Sequence, residues 1–217
     1  MIKQLTNAAL SALLGLLLTA AAQAASVMDD VRTLQQQWEQ IKYQTAEEQQ
    51  AERYAALAQQ AQGVVKAWPQ APEALIWQGI ILASQAGAVG GLDALDLCEQ
   101  AKAVLEQALA IDAKALDGSA YTSLGSLYYQ VPGWPLGFGD DDKARELLNQ
   151  AVAINPNGID SNYWLAAFLY DQGELTAARS ALHKAQQAAP RPGRELADQG
   201  RRQEIAQLLA TIDSKLN

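Results

Sequence analysis

Residues 121–156 read YTSLGSLYYQVPGWPLGFGDDDKARELLNQAVAINP and set the architecture of the chain. Four positions in the second half of this stretch recur 34 residues later, in the pairs Ala144 and Ala178, Leu148 and Leu182, Ala151 and Ala185, Pro156 and Pro190. Such a fixed period is typical of stacked helix pairs. Alanine, leucine and glutamine dominate the chain, and these residues favour helices. The sequence therefore predicts an all-α array of helical hairpins, an α-solenoid.

Within this unit, the first helix carries one apolar face and the second helix has a defined stop. Tyr121, Leu124, Gly125 and Tyr128 follow helical spacing, so they share the face that meets the second helix. Gly125 has no side chain, which lets the two helices approach closely. Pro156 prevents the second helix from continuing.

Three further units extend the pattern along the chain. Residues 159–190 form a unit without insertion, in which Gln172-Gly173 is the turn between the helices. Residues 72–112 form a looser unit with a longer turn, and its second helix carries Ala101, Leu105 and Ala108. A degenerate first unit has Val31, Leu34, Trp38 and Ile41 on one helix face and residues 54–66 as the partner helix. Terminal repeats are commonly atypical, so about four hairpins are predicted.

A last helix is predicted over residues 195–216, with apolar positions at Leu196, Ile205, Leu208, Leu209 and Ile212. Stacked hairpins leave one apolar flank on the last pair, and this helix would cover it as a solvating cap. The predicted organisation is a leader at residues 1–24, a repeat array at 25–190 and a C-terminal capping helix at 191–217.

The leader is predicted to be a secretory signal peptide cleaved after Ala24. Lys3 gives a positive start, residues 10–22 are apolar, and Ala22-Gln23-Ala24 is a small-x-small cleavage site. The alternative is an uncleaved membrane anchor, but the apolar run is shorter than the ~20 residues that a spanning helix needs. A periplasmic protein without a stable membrane anchor is therefore expected.

The net charge of the chain narrows the classes of partner. The chain has 16 basic and 24 acidic residues, and removal of Lys3 with the leader gives 15 minus 24, or −9. This balance disfavours nucleic acid as a partner.

Cys98 is the one cysteine, so an internal disulfide is excluded. It lies in the apolar pattern of a helix, and a small buried hydrophobe is the favoured interpretation over a reactive thiol.

These residues carry two resemblances. Residues 118–190 and, more loosely, 72–112 resemble tetratricopeptide repeats, whose first-helix pattern Trp-x-x-Leu-Gly-x-x-Tyr is matched here with Tyr121 in the Trp position. The order of export leader, helical repeats, the VPGWPLGFG loop at 131–139 and a final helix also resembles the TatT-like T components of TRAP transport systems. The second resemblance implies a periplasmic solute-binding protein as partner.

Several polar side chains are candidates for metal, phosphate or anion sites, but a structural role is favoured for each. His183 has no second histidine to complete a metal site, so it is predicted at the surface. The three aspartates at 140–142 are predicted to cap a helix. The glycine-rich segment 87–91 lacks the lysine of a phosphate-binding loop, so phosphate binding is disfavoured there. Arginines 191, 194, 201 and 202 are predicted to pair with acidic residues and cap a helix. No catalytic residue, metal or cofactor is assigned.

The resemblance to tetratricopeptide repeats implies binding through a groove formed by the first helices. The predicted binding site combines this groove with the inserted loop of the third hairpin. A one-residue rotation of ~100° from the packed face selects the groove positions. The groove positions in the site are Thr122, Ser126, Tyr129, Tyr163 and Tyr170, and the inserted loop adds Trp134 and Phe138. Such a groove is expected to be tyrosine-rich and poor in charge, which suits an apolar or mixed ligand. For the loop aromatics, folding back as a plug and binding a partner are equal alternatives.

The function predicted from these features is that of an exported protein-binding or scaffolding module. The alternative is an accessory of a periplasmic solute-binding transport system. The expected partner is another envelope or periplasmic protein, with an apolar small ligand as a further alternative. A hydrolytic enzyme is the least favoured class.

Overall fold

The computed structural model describes residues 27–216, which form a succession of α-helices. A helix at 27–44 (α1) is followed by α2 (Glu47–Ala67), α3 (Pro72–Val89), a short 3-10 turn (Leu92–Ala94), α4 (Leu95–Ile111), α5 (Ala115–Gln130), α6 (Asp141–Ile154), α7 (Ile159–Asp171), α8 (Leu175–Gln186) and α9 (Glu195–Leu216). This order confirms the all-α prediction. The predicted leader lies outside the described residues. None of the described helices is both long and apolar enough to cross a membrane.

The register derived from the 34-residue period is confirmed where the paired helices touch. A β-carbon built at Gly125 would lie 2.7 Å from Leu148 Cγ, and one built at Gly79 would lie 2.5 Å from Leu105 Cγ. The two glycines therefore occupy equivalent places in hairpins α5–α6 and α3–α4. In both, a leucine of the second helix fills the space that a side chain would need.

The array buries three neighbouring groups of apolar residues. The first group joins α1, α2 and α3 around Leu34, Tyr54 and Ile81, and the second joins α3, α4 and α5 around Ile76, Leu105 and Leu124. The third joins α6 to α9, with Leu148, Phe168, Leu182 and Ile205. Each helix pair shares its core with the next pair, as expected of a stacked array. Cys98 is buried in the second group, which confirms its packing role.

One connection between helices has the backbone conformation that the sequence predicts, and another does not. Gly173 has φ of 77°, a left-handed conformation that glycine adopts without strain, at the predicted turn between α7 and α8. The backbone at the start of α5 is unexpected, because Leu116, Asp117 and Gly118 lie within the bounds of this helix but are all left-handed, with φ of 46°, 55° and 76°. Left-handed backbone is unfavourable for residues with a β-carbon. Leu116 and Asp117 are therefore strained, and both line the cavity described below.

Helix α9 covers the last pair and also reaches the first helix of the array. Ile205, Leu209 and Ile212 pack into the core of α6 to α8, as the predicted apolar side requires. In its first half, the α-carbon of Gly200 lies against the ring of Tyr43 in α1. A terminal cap alone would touch only its neighbouring pair, so α9 does more than the predicted cap: it joins the two ends of the array.

The contact between α9 and α1 includes hydrogen bonds as well as the packing of Gly200 against Tyr43. Glu39 in α1 accepts hydrogen bonds from Arg194 Nε and from the backbone nitrogen of Ala197, both at 3.3 Å. Ala197 belongs to the first turn of α9, where backbone N–H groups lack helical partners and the helix dipole favours an anion. Glu39 therefore caps α9 from the opposite end of the array.

Candidate functional site

A large cavity lies on the inner side of the array, where the first helices of all hairpins face one another. Its volume is about 1170 Å³, and it receives side chains mainly from α1, α3, α5, α7 and the first half of α9, with further ones from α2 and α4. Ligand pockets in proteins have volumes of roughly 300–1,000 Å³. The cavity is thus large enough for a small molecule.

The structure brings together only part of the predicted groove. Thr122, Ser126 and Tyr163 line the cavity, and Thr122 is buried. Tyr129 instead packs edge-on against Phe168, with ring centroids 5.8 Å apart. The Tyr170 hydroxyl accepts a hydrogen bond from Lys215 Nζ at 2.6 Å, near the end of α9.

The separation of these tyrosines from the cavity has a geometric cause. Tyr129 lies seven residues beyond Thr122, and Tyr170 seven beyond Tyr163. Seven residues return a helix to nearly the same face, but ~10 Å further along its axis. The rotation argument therefore gave the wrong depth for Tyr170. Tyr129 lies at the level of Gln130 and Val131, which do line the cavity, so its ring is absent because it turns toward Phe168.

The expectation of a groove poor in charge is wrong. Four basic side chains line the cavity, Lys42, Arg191, Arg194 and Arg201. Four acidic side chains match them, Glu47, Asp117, Asp160 and Glu204. The cause is α9 together with the segment before it, because their return across the array brings three arginines and Glu204 to the inner side.

The arginines are paired with carboxylates, as the sequence predicts. Arg201 Nε donates to Asp160 Oδ1 at 2.8 Å, and Arg191 donates to Asp160 Oδ2 at 2.6 Å. Arg191 Nε also donates to Asp198 Oδ1 at 2.7 Å. Burial acts to raise the pKa of Asp160, but the Arg201 and Arg191 guanidiniums outweigh it and hold that pKa well below its usual range. Asp160 is therefore ionised at neutral pH.

Arg201 also packs on aromatic rings that face the cavity. Its guanidinium lies 4.1 Å from the ring centroid of Tyr163 and 5.3 Å from that of Trp164. In the same way, Arg194 lies 5.0 Å from the ring of Trp77. Cation–π contacts of this kind add to the ion pairs in holding the arginines in place. The polar wall of the cavity is thus part of the fold.

Replacing Arg201 with methionine is expected to lower the free energy of unfolding by about 2 kcal/mol near neutral pH. Removing one partner of a fully buried ion pair costs ~3–5 kcal/mol. Here 35% of the Asp160 side chain is solvent-accessible, which reduces the cost. Urea unfolding followed by circular dichroism measures the change.

The same unfolding measurements at low pH provide a control for this prediction. The pKa of Asp160 is lower in the folded than in the unfolded state, so its ion pairs stabilise the protein above about pH 4, and this contribution is lost as the pH falls further. The difference between wild type and Arg201→Met should therefore shrink below about pH 4. Arg179→Met, which breaks an exposed pair with Asp213, should cost roughly 0.5 kcal/mol or less. Equal losses for the two variants would contradict the assigned role of Arg201.

The inserted loop between α5 and α6 places its two aromatic residues differently. Phe138 folds back: its ring meets Tyr128 edge-on at 5.2 Å between centroids, and Lys102 Nζ lies 4.8 Å above it. Trp134 is 91% exposed. Of the two alternatives for this loop, Phe138 fits the plug, whereas Trp134 points away from the core.

Backbone hydrogen bonds hold the loop in a defined conformation. Gly139 N donates to Pro132 O at 3.0 Å, Leu136 N donates to Gly133 O at 3.1 Å, and Gly133 and Gly139 form an isolated β-bridge. Asp140 N then donates to Tyr128 O at 2.8 Å, which ties the end of the loop to α5. The exposed indole of Trp134 is therefore carried by an ordered support.

The remaining polar predictions are confirmed. The Asp140 side chain accepts a hydrogen bond from Lys143 N at 2.9 Å and caps α6. Arg202 donates to the carbonyls of Gln186 and Ala188, both at 2.8 Å, at the C-terminal end of α8. His183 is exposed on α8.

Two cavity residues, Tyr43 and Tyr54, are missing from the set predicted from the sequence. Their hydroxyl oxygens are fully buried, and that of Tyr54 lies beside Ser84. Tyr54 is 1% exposed and lies on α2, a second helix, which the groove argument does not consider. Tyr43 is near the end of α1, in the degenerate first repeat, where no 34-residue match marks it.

A comparison with protein-family models agrees with the repeat architecture over part of the chain. The family model described as tetratricopeptide repeat matches residues 136–198. A search of curated protein sequences finds no relative that matches. Among solved structures, the chain is similar to a thermophilic tetratricopeptide repeat protein of Thermus thermophilus, with 21% identity and a TM-score of 0.45, covering 73% of this chain and 91% of the other.

A second similar structure is that of MamA, with 20% identity and a TM-score of 0.45, covering 75% of this chain and 88% of the other. The family match includes the inserted loop from Leu136 onward, α6, hairpin α7–α8 and the start of α9. The chain thus contains tetratricopeptide repeats, in the segment 136–198 that the family model matches.

Proposed function

We propose that this protein is a binding module that captures a partner protein through the inserted loop between α5 and α6. The observation that carries this proposal is the exposure of Trp134, 91% on a loop whose backbone is fixed by hydrogen bonds. Tetratricopeptide repeats serve generally as protein-interaction scaffolds. The family match over residues 136–198 supports a binding role.

Exposed apolar residues concentrate at the edge of the array that carries the inserted turns. Among the described residues, six large hydrophobic side chains are exposed, Val89, Leu92, Ile111, Trp134, Leu136 and Leu216. Four of the six lie at the two inserted turns: Val89 ends α3 and Leu92 begins the following 3-10 turn, whereas Trp134 and Leu136 lie in the loop between α5 and α6. Leu136 is 59% exposed beside Trp134. Clustered apolar surface of this kind is typical of an interaction site.

The loop is also suited energetically to binding. Aromatic residues that are ordered before association lose little conformational entropy when a partner covers them. Tryptophan is enriched among the residues that dominate interface energies. A partner that fits this loop would offer an apolar pocket for the indole, with polar groups around it.

The place of action proposed here is the periplasm. The predicted leader at 1–24 supports export, and the acidic charge of the remaining chain disfavours nucleic acid and anionic membranes as partners. A second candidate function is that of an accessory protein in solute transport, similar to the T components named above. The cavity of about 1170 Å³ on the inner side favours this candidate, because a scaffold has no need of it.

Replacing Trp134 and Leu136 together with alanine is expected to abolish capture of the partner while leaving stability unchanged. Interface tryptophans commonly contribute ~2–4 kcal/mol, so affinity should fall by at least about thirtyfold. Affinity purification from envelope extracts, followed by identification of the bound proteins, measures the loss. Ile111→Ala, which truncates an exposed apolar residue outside the inserted turns, is the matched control. Capture that persists in the double variant would refute the loop as the site.

The double variant leaves Tyr163 unchanged, because this side chain contacts Arg201 and Trp164. Its replacement would disturb the cavity wall as well as any bound partner. The identity of the captured protein separates the two candidate functions: a solute-binding protein favours transport, and a component of an assembly favours scaffolding.

A further inference from the structure

The two inserted turns touch each other, so their exposed apolar side chains lie on one edge of the array. A β-carbon built at Gly137, in the loop between α5 and α6, would lie 3.6 Å from Leu95 Cδ2, in the first residue of α4. The loop that carries Trp134 therefore rests on the helix that follows the first inserted turn. We call residues 89–98 and 129–142 the loop edge.

The charges of the loop edge are all of one sign. Its two segments contain five aspartates and no basic residue, and the aspartates are Asp93, Asp96, Asp140, Asp141 and Asp142. All five are exposed. Within the described residues, the two hydrogen bonds that their carboxylates accept come from uncharged groups, the backbone nitrogen of Lys143 and the side-chain amide of Gln172. The negative charge of the loop edge is therefore not neutralised by these contacts.

Basic side chains on the adjoining helices do not neutralise this charge either. The basic residues of α4 and α6 all pair with glutamates: Lys102 with Glu99 at 3.8 Å, Lys143 with Glu146 at 2.9 Å, and Arg145 with Glu174 at 2.5 Å. None of these glutamates belongs to the loop edge. An exposed apolar surface is thus bordered by acidic residues whose counter-charge has to come from outside.

The border selects among the possible occupants of the apolar surface. A second copy of the chain would place aspartates against aspartates if the same edges met, and like charges across an interface are unfavourable. Anionic lipids would be repelled in the same way. A basic protein surface, in contrast, is attracted to the loop edge. We propose that the partner docks on the loop edge with apolar side chains bordered by lysine or arginine.

This inference rests on the proposed capture through the loop and adds the chemistry of the partner. Apolar contact with Trp134 would supply most of the affinity, because exposed ion pairs contribute only about a twofold change each. The aspartates would instead speed association and reject acidic proteins. Both effects weaken with added salt, which screens exposed charges.

Two synthetic amphipathic helical peptides serve as probes of this chemistry. Both carry leucines along one face, bordered by lysines in the first peptide and by glutamates in the second. Fluorescence anisotropy of the labelled peptides measures their affinity for the full chain. The lysine peptide should bind at least about tenfold more tightly than the glutamate peptide at low salt, and raising NaCl to roughly 0.5 M should remove most of this difference.

Charge neutralisation at the loop edge tests which aspartates are responsible. The variant Asp93→Asn/Asp96→Asn/Asp142→Asn spares the two aspartates that accept hydrogen bonds, and its affinity for the lysine peptide should fall about eightfold. The matched control Glu48→Gln/Glu52→Gln/Glu106→Gln removes the same charge from exposed positions outside the loop edge, and its affinity should change less than about twofold. Circular dichroism checks that both variants are folded.

The outcomes for this inference and for capture through the loop are distinguishable. If Trp134→Ala/Leu136→Ala weakens peptide binding but the aspartate variant and the peptide charge have no effect, the basic partner is wrong and the loop remains the site. If the lysine peptide binds equally to all variants, or does not bind, both proposals are contradicted. Dimerisation of the chain through Trp134, or its binding to phosphatidylglycerol vesicles, would overturn the basic protein as the occupant.

Discussion

Truncation of the chain after Pro190 is expected to abolish cooperative folding, because α9 joins both ends of the array. The deletion removes Ile205, Leu209 and Ile212 from the core of α6 to α8. It also leaves Glu39 and Asp160 without their arginine partners. The exposed apolar flank should cause aggregation, which size-exclusion chromatography detects, and thermal unfolding should become broad.

A second truncation, after Ser214, is the control for this deletion. It removes the Lys215 contact with Tyr170 but none of the buried residues of α9. This shorter deletion should unfold cooperatively, with a Tm close to that of the full chain. A monomeric and cooperative product of the deletion after Pro190 would show that the array is stable without α9 and would disprove its joining role.

Gly125→Leu is expected to lower the free energy of unfolding by about 3 kcal/mol. Even the β-carbon would lie 2.7 Å from Leu148 Cγ and 3.2 Å from Leu148 N, and the backbone cannot move aside without separating α5 from α6. The larger leucine side chain extends this clash. Urea unfolding at equilibrium measures the cost.

Gly63→Ala is the matched control, because Gly63 lies inside α2 with nothing within 4 Å of its added β-carbon. Alanine favours the helix over glycine by roughly 0.5–1 kcal/mol, so this variant should be more stable than wild type. If the two glycine variants change stability in the same direction, the close approach of α5 and α6 at Gly125 is wrong.

Local patterns in the sequence predict the helix pairs well. The matched positions of Leu148 and Leu182 and the stop at Pro156 specify packing between neighbours in the chain, which a 34-residue period encodes directly. The same applies to α9, whose predicted bounds of 195–216 match the structure. Here the apolar spacing and the local helix signals agree, so no distant contact is needed to find the element.

The closure of the array was not predictable in this way. Arg194 and Glu39 are 155 residues apart, and their contact depends on the accumulated rotation of every hairpin between them. The left-handed conformation of Leu116 is likewise not indicated by the sequence, since leucine does not favour it. For the same reason the charged wall of the cavity, which α9 and the preceding segment deliver, does not follow from the spacing of α5 and α7.

Site-specific photocrosslinking at position 134 tests the central claim most directly. A photoreactive phenylalanine derivative in place of Trp134 should form one discrete crosslinked product with a partner in the cell envelope, because this side chain is fully presented on an ordered loop. The same derivative in place of Gln59, exposed on α2, should give none. Equal crosslinking at both positions, or none at position 134, would contradict capture through the loop.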